Sequence, residues 1–316
     1  MVTREFPIRL FTDCRYAVLG ALAASLGGPA VAGPVGPPET FQSYAIGSFP
    51  KGWLDFAAVG PPSDAPQPSA VVINTTDAYG HMTKALATLP AVAPAQGIFR
   101  PIGSTNYYAT HADVRIDRFG DTDPTGAVED PNNPGFLLCG CPVGTENLLD
   151  WAAEVGFLNV GANPTNPAES PGMGIAASAE THTWHLFAVT TNIIADIDLG
   201  LKPEEGKWYG VEVDLNAKTG ALHGAITDVR AGTILADNMV FLTDPKYGTY
   251  DPKVDGVFDT ENYMDSELSL VFGTNPDLNK PGLAVVDNID TRIPEPASIV
   301  LLGSALAFGA AVRRRR

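Results

Sequence analysis

The sequence is short of basic residues and of familiar catalytic motifs. Its 316 residues hold 20 lysines and arginines against 36 aspartates and glutamates, which gives a net charge of −16. Because the phosphates of nucleic acids require a basic surface, this balance argues against a nucleic-acid partner. The sequence also has no Gly-x-Ser-x-Gly nucleophile turn and no phosphate-binding loop, which excludes the corresponding hydrolases and nucleotide-binding proteins.

Cysteine and histidine are scarce, with three and five copies respectively. Cys139 and Cys141 are so close in sequence that a disulfide between them would be strained, and two free thiols in a loop are an equal alternative. His182 and His185 lack the glutamate of the His-Glu-x-x-His zinc motif, which favours ordinary core or surface histidines. The sequence therefore predicts no zinc site.

The chain has no heptads, no long amphipathic helices and no internal repeats. What it has are short runs of alternating polar and apolar residues. Residues 207–215 alternate, residues 216–220 form a turn, and residues 221–229 alternate back before a further run at 233–242. Such a meander is typical of an all-β sandwich or barrel. Residues of about 120–180 are rich in Gly, Pro and Asn and are predicted to be mostly a long loop region, although residues 148–157 could be a strand or a short helix.

Residues 1–32 have the three parts of a secretion signal. A start with three arginines is followed by the apolar residues 16–26 and then by the small residues Ala30 and Ala32. This order predicts export, with cleavage after Ala32. The apolar run is too short to be a permanent membrane anchor.

Residues 294–316 form a second signal at the other end. Pro294, Glu295 and Pro296 precede an uncharged stretch at 297–312, and the chain ends in Arg313, Arg314, Arg315 and Arg316. As a helix the stretch would be ~24 Å long, which is marginal for a hydrocarbon core of ~30 Å. The arginines would hold its end in the cytoplasm and leave the rest of the chain outside.

These C-terminal residues resemble the PEP-CTERM sorting signal of Gram-negative bacteria. The resemblance implies a processing partner of the exosortase type, which cuts near the Pro-Glu-Pro motif after a transient insertion in the inner membrane. It further implies release to the cell surface or to the extracellular polysaccharide matrix. The resemblance does not define the central domain, which is expected at residues 33–293.

The order of strands in the central domain resembles the concanavalin A-like jelly rolls. In such folds a first strand containing Phe, here Thr40 and Phe41, pairs with a last strand such as residues 286–289. We therefore expect an all-β, jelly-roll-like antiparallel β-sandwich, flanked by a signal peptide and a C-terminal transmembrane sorting helix. The resemblance implies a structural calcium site at Asp287 and Glu39. Cleavage after Ala32 and near Pro296 leaves residues 33–296 with 13 basic and 34 acidic residues, a charge of −21 that also favours divalent cations.

Two groups of residues could act on a polysaccharide. Glu212 and Asp214 have the spacing of paired carboxylates in jelly-roll glycosidases, but the position of a third carboxylate holds Ala217 or Lys218, so a plain surface strand is the better interpretation. Trp53 and Trp151 are candidates for stacking on sugar rings, whereas Trp184 and Trp208, in regular strands, are expected in the core.

The sequence thus predicts a cell-surface or matrix protein that associates with polysaccharide and has no enzymatic activity. The alternative is a degenerate or unfamiliar enzyme that cleaves glycans. A groove with two facing carboxylates would favour the enzyme, and exposed aromatic side chains would favour the binding protein.

Overall fold

A computed structural model describes the central part of the chain. The described residues are 39–55, 70–89, 96–101, 107–120, 128–132, 134–135, 143, 151–160, 172–190, 192–256, 264–272 and 282–292. Residues 1–32 and 294–316, with both terminal signals, lie outside these ranges, so export and sorting stay predictions. In the described part of the chain, no helix has the length and apolar character needed to cross a bilayer.

The described residues form two antiparallel sheets of seven strands each. In chain order the strands are β1 Leu54–Asp55, β2 Ala70–Thr76, β3 Met82–Thr88, β4 Gln96–Pro101, β5 Tyr107–Arg118, β6 Trp151–Val160, β7 Gly172–Ser178, β8 Trp184–Val189, β9 Ile194–Asp198, β10 Trp208–Asn216, β11 Ala221–Asp228, β12 Thr233–Phe241, β13 Met264–Phe272 and β14 Leu283–Arg292. The predicted meander is confirmed as β10, β11 and β12.

The two sheets pack face to face around one core. The first sheet has the order β1-β4-β13-β6-β7-β8-β9, and the second has the order β12-β11-β10-β5-β14-β3-β2. Because neighbours in each sheet are often far apart in sequence, the chain crosses repeatedly between the layers. The predicted all-β architecture with antiparallel sheets is confirmed.

Alternation along each strand decides which side chains enter the core. On β10, Val211, Val213 and Leu215 are fully buried between the sheets, while Glu212 and Asp214 point to the outer face. Across the interface, the ring of Trp184 on β8 meets the ring of Tyr209 edge-on, with 6.0 Å between centroids. Burial of each large apolar side chain contributes about 1.5–3 kcal/mol, so the interface between sheets is the main source of stability.

The two ends of the described chain meet in the second sheet. Glu39 pairs with Ile289 through two backbone hydrogen bonds of 2.7 and 3.0 Å. The next residues bring Phe41 into the core, where it is fully buried and has a left-handed backbone with φ of 55°. The predicted pairing of the first segment with the last strand is therefore confirmed, with Glu39 as the paired residue.

The region of about 120–180, predicted to be mostly loop, contains two strands; the prediction is wrong for the second only, since the sequence allows a strand or a short helix at residues 148–157. Residues 151–160 form β6 and residues 172–178 form β7, next to each other in the middle of the first sheet. The seven residues of β7 are all buried, so the strand lacks the polar–apolar alternation that marks a half-exposed strand. Its many small residues, which suggested a loop, serve close packing instead.

Candidate functional site

Several polar side chains lie beside a cavity on the outer face of the second sheet. Along β5, the side chains of Tyr108, Ala112 and Val114 point inward, so His111 and Asp113 point outward. The register places Asp113 opposite Gly210 of β10 on one side and opposite Asp287 of β14 on the other. Two carboxyl groups, 174 positions apart in sequence, thus become direct neighbours across strands.

A cavity of about 90 Å³ opens beside these carboxyl groups. Its wall is formed by the turn between β2 and β3, by β10 with the turn that follows β11, and by the β5–β14 pair. The lining residues are Asp77, Ala78, Tyr79, Asp113, Trp208, Val229, Asp287 and Asn288. Aromatic, carboxylate and amide groups therefore face one small space.

The aromatic side of the cavity is held by hydrogen bonds between distant segments. The indole of Trp208 donates to the carbonyl of Thr76 at 2.9 Å, and the guanidinium of Arg115 lies 5.0 Å from the ring centroid. Tyr79 donates its hydroxyl hydrogen to the carbonyl of Val229 at 3.2 Å while its side chain stays 60% exposed. Tyr79 is therefore both fixed and open to solvent, as a residue that stacks on a ligand must be.

Gly210 allows the side chains of Thr227 and His111 to pack closely over β10 next to the cavity. A Cβ atom at this position would lie 2.5 Å from Oγ1 of Thr227 and 3.0 Å from Cε1 of His111. Any side chain here would therefore push Thr227 and His111 aside and fill the surface beside Asp113.

A bulge in β14 brings Asn288 into the site. Between Asp287 and Asp290, β14 has one residue more than the facing part of β5. Asn288 takes up the extra length with a left-handed backbone, φ 52°, and its side-chain amide donates to Oδ2 of Asp113 at 2.7 Å. His111 lies 3.3 Å from the other oxygen of Asp113. The bulge thus fixes one carboxylate of the site.

Asp287 is the buried carboxyl group of the site, with 5% of its surface exposed. Among the described residues its hydrogen-bond donors are uncharged: the hydroxyl of Thr83 at 3.3 Å and the backbone N–H of Asn288 at 2.9 Å. Burial, together with the nearby charges of Asp113 and Glu39, raises the pKa of Asp287 to about 7. At neutral pH this carboxyl group is therefore partly protonated.

The predicted calcium ligands fit a cation only in part. Asp287 is a buried hard oxygen donor without a cationic neighbour among its described hydrogen-bond partners. The carboxylate of Glu39, however, accepts hydrogen bonds from the N–H of Phe41 and the hydroxyl of Tyr44, both at 3.1 Å. Within the described ranges, no three His, Cys, Asp or Glu side chains converge as metal ligands. Protein side chains alone do not complete a calcium shell there.

Comparison with known proteins gives a likeness in fold only. No protein-family model matches the chain, and no curated protein matches it in sequence. Similar structures include a sialidase (TM-score 0.46, 9% identity, 84% of this chain and 19% of that one), a seed lectin of Lotus tetragonolobus (0.36, 10%, 72% and 95%) and an alginate lyase of Pseudomonas aeruginosa (0.38, 8%, 66% and 82%). The chain therefore spans about a fifth of the sialidase. Such low scores transfer no function.

The four tryptophans lie in different parts of the fold. Trp53, a candidate for stacking on sugar rings, is only 6% exposed and belongs to the main core. Trp151 begins β6, in the other sheet, and the position of its side chain lies outside the described details. Trp184 is in the core as predicted. Trp208 is buried too, but under the outer face of the second sheet.

Of the paired carboxylates on β10, one is held by neighbouring side chains. Glu212 and Asp214 both point outward, as an ordinary surface strand predicts. Asp214 is bound by the hydroxyl of Tyr107 at 3.1 Å and by His223 at 3.0 Å. Its oxygens are therefore engaged by neighbours within the sheet.

The two histidines of the His-Thr-Trp-His segment have structural environments. The ring of His185 is buried between Asp196, at 2.6 Å from Nδ1, and the hydroxyls of Thr181 and Thr183, both 2.9 Å from Nε2. His182 stacks on Phe119 with 4.4 Å between ring centroids. Neither residue lines the cavity, in agreement with the sequence interpretation.

Sequence reasoning found Asp287 but missed its companions. Asp113 lies in a regular alternating strand, and nothing local distinguishes its carboxylate from other surface charges. Asn288 had a signal in the sequence, because an Asn following an Asp inside an apolar strand is a common bulge residue with a left-handed backbone. Tyr79 is in a turn that only the tertiary structure folds over the sheet.

Proposed function

We propose that this protein is an exported β-sandwich of the cell surface or extracellular matrix that binds a polysaccharide on the outer face of its second sheet. The observation that carries the proposal is the cavity in which the exposed ring of Tyr79 faces the carboxyl groups of Asp113 and Asp287. Sugars offer one apolar ring face and many hydroxyl donors, which match an aromatic ring beside oxygen acceptors.

The chemistry of the cavity supports a binding role. Hydroxyl groups of a sugar would donate to the ionised carboxylate of Asp113, and such charge-assisted hydrogen bonds are shorter and stronger than neutral ones. Asp77 and Asn288 add further polar atoms to the same wall. The cavity of about 90 Å³ is small, so part of one sugar unit would enter it while the rest of the polymer lies across the outer face of the second sheet.

Export and sorting are part of the same proposal. A cleaved signal at Ala32 and exosortase-type processing at Pro294, Glu295 and Pro296 would deliver the sandwich to a polysaccharide-rich location. The motivation is the terminal sequence pattern described above. Calcium is proposed only as a structural stabiliser near Asp287 and Glu39, because the buried carboxyl group would gain from a cation there.

A glycan-cleaving enzyme is the second candidate, and one observation favours it. Asp113 and Asp287 face each other across strands, and the pKa of Asp287 is raised to about 7. Enzymes that cleave glycosidic bonds use such an asymmetric pair, with one protonated and one ionised carboxyl group. We propose binding without cleavage as the first candidate, because the exposed ring of Tyr79 beside oxygen acceptors suits stacking on a sugar.

The binding proposal is tested with the full-length protein on a glycan array, followed by calorimetry with the best ligand. Tyr79→Ala should weaken binding about five- to tenfold, since loss of an aromatic contact is worth roughly 1 kcal/mol. Phe241→Ala is the matched control, because Phe241 is another exposed aromatic residue, on β12 and away from the cavity lining.

Three outcomes would contradict the proposal. Absence of binding to any glycan would contradict the proposed function. An equal loss of affinity in Tyr79→Ala and Phe241→Ala would show that the binding site lies elsewhere. Release of new reducing ends that stops in Asp287→Asn would establish the enzyme instead.

A further inference from the structure

His223 on β11 lies between two carboxylates on the neighbouring strands. Its Nδ1 atom is 3.0 Å from Oδ2 of Asp214 on β10, and its Nε2 atom is 3.0 Å from Oδ1 of Asp237 on β12. The three side chains form a bridge across the outer face of the second sheet. None of them lines the cavity of the proposed saccharide site.

This geometry requires a particular protonation state. A neutral imidazole has one N–H donor and one bare nitrogen, whereas the imidazolium has two donors. Carboxylates only accept hydrogen bonds, so a neutral ring would place a bare nitrogen against a carboxylate oxygen on one side. Both short contacts are satisfied together only when His223 is charged.

The other groups around His223 reinforce the charged form. Tyr107 of β5 donates its hydroxyl hydrogen to the second oxygen of Asp214 at 3.1 Å, and burial and the charge of Asp214 raise the pKa of Tyr107 to about 12. Glu212 adds a further negative charge on the outer face of β10, and the residue opposite His223 on β12 is the uncharged Met239. No described lysine or arginine forms an ion pair with Asp214 or Asp237.

The bridge ends on the edge strand of the sheet. β12 pairs with β11 alone among the described strands, and a bulge interrupts that pairing between Ile226 and Thr227. The outer face of β12 also exposes Ile234, Met239 and Phe241, which contribute little packing. A side-chain bridge to the interior strand β10 therefore adds a second attachment to the backbone pairing of β12 with β11.

We propose that His223 is a pH-sensitive clamp, which as an imidazolium fastens edge strand β12 to β11 and β10 and which releases β12 when it loses its proton. Release would open the edge locally while the core of the sandwich stays folded. The device is independent of the saccharide site, since it uses different residues on different strands.

The direction of the pH effect follows from the linkage between protonation and folding. Burial lowers the pKa of His223, but the hydrogen bonds and charges of Asp214 and Asp237 outweigh this, so the pKa lies above the usual 6.5. The clamp is therefore fully formed below pH 6.5 and is lost as the pH rises through the pKa of the folded protein.

Hydrogen exchange of the full-length protein at pH 5.5 and pH 8.5 tests the clamp. Protection of residues 233–241, corrected for intrinsic exchange, should fall about tenfold relative to β8 between these values, because the loss of one charge-assisted hydrogen bond weakens a local attachment by roughly that factor. β8 is the reference because it lies in the other sheet, away from Asp287, whose ionisation also changes over this pH range. His223→Gln should show the low protection of β12 at both pH values.

His81→Gln is the matched control. His81 is an exposed histidine with one carboxylate partner, Asp77, and its replacement should leave the pH response of β12 as in the wild type. The clamp is overturned if β12 protection in the wild type does not change with pH, or if His223→Gln keeps the wild-type change. It is also overturned if NMR titration gives His223 a pKa at or below that of free histidine, a measurement that needs no variant.

Discussion

Asp287 shows how one buried carboxyl group links folding to pH and to cations. The group is 5% exposed, its hydrogen-bond donors are uncharged, and its neighbours Asp113 and Glu39 are acidic. Ionisation in such surroundings is unfavourable unless a cation or a proton compensates the charge. The same residue is central to the cavity, so its protonation state matters for both stability and binding.

We expect Asp287→Asn to stabilise the protein at pH 8 and to have little effect near pH 4. The folded protein holds the proton more tightly than the unfolded chain, since the pKa rises from 3.8 to about 7. The protonated carboxyl group contributes fully to the free energy of unfolding below pH 3.8. This contribution is lost as the pH rises through about 7. The gain at pH 8 should be roughly 1–4 kcal/mol, at 1.36 kcal/mol per pKa unit.

Denaturant unfolding in the presence of a chelator measures this difference. Asp198→Asn, at an exposed carboxylate in the other sheet, is the control and should show no such dependence on pH. Repeating the pH 8 measurement with millimolar calcium tests the proposed ion, which should stabilise the wild type but not Asp287→Asn. An equal response of both proteins to calcium would argue against a site at Asp287.

At the scale of the element, β6 and β7 show why small residues do not always indicate a loop. Gly156 of β6 and Gly174 of β7 are directly opposite each other in the first sheet. A Cβ atom on Gly174 would overlap the backbone carbonyl oxygen of Val155 and lie 2.9 Å from the Cα atom of Gly156. The two glycines therefore permit a strand pairing that larger residues would push apart.

Gly174→Ala should destabilise the protein by at least about 1–3 kcal/mol, because backbone atoms cannot move aside without breaking the strand pair. Gly224→Ala is the control at a second buried glycine, on β11. There the new Cβ would meet the terminal methyl groups of Ile175 and Leu186, at 2.7 and 2.8 Å, and these can rotate away. Thermal unfolding measures the stability of both variants. A larger loss of stability in Gly224→Ala than in Gly174→Ala would refute the explanation.

At the scale of the whole molecule, charge and terminal signals define the expected environment. The net charge of −16 keeps the protein soluble and makes it repel polyanions unless cations intervene. The same charge makes a neutral or cationic polysaccharide the better partner for the proposed site. The pairing of Glu39 with Ile289 also brings the first and last described segments together.

Processing at both ends is the prediction at this scale. In the native host, the mature protein should begin at Gly33 and should lack Arg313, Arg314, Arg315 and Arg316. Mass spectrometry of the cell-surface fraction measures both ends, and Ala32→Asp should block the first cut because a charged residue does not fit the small-residue cleavage site. Recovery of the intact chain from the cytoplasm would refute export.

Local patterns in the sequence determined the strands that are half exposed and the turns that join them. The alternation of residues 207–242 is sufficient for β10, β11 and β12, because period-two burial is a property of a strand and its immediate neighbours. The same reasoning identified Asp287 as an unusual acid within an apolar run. It failed for β7, whose residues are all buried and so show no alternation.

The tertiary structure alone decided what lies next to Asp287. Asp113 becomes its neighbour through the register of β5 against β14, and Tyr79 and Trp208 join them through a turn that folds across the sheet. Trp53, a candidate sugar contact in the sequence, lies in the core for the same reason: exposure depends on which segment covers a side chain. Such contacts join residues far apart in the chain, and no periodicity within one strand encodes the register between two distant ones.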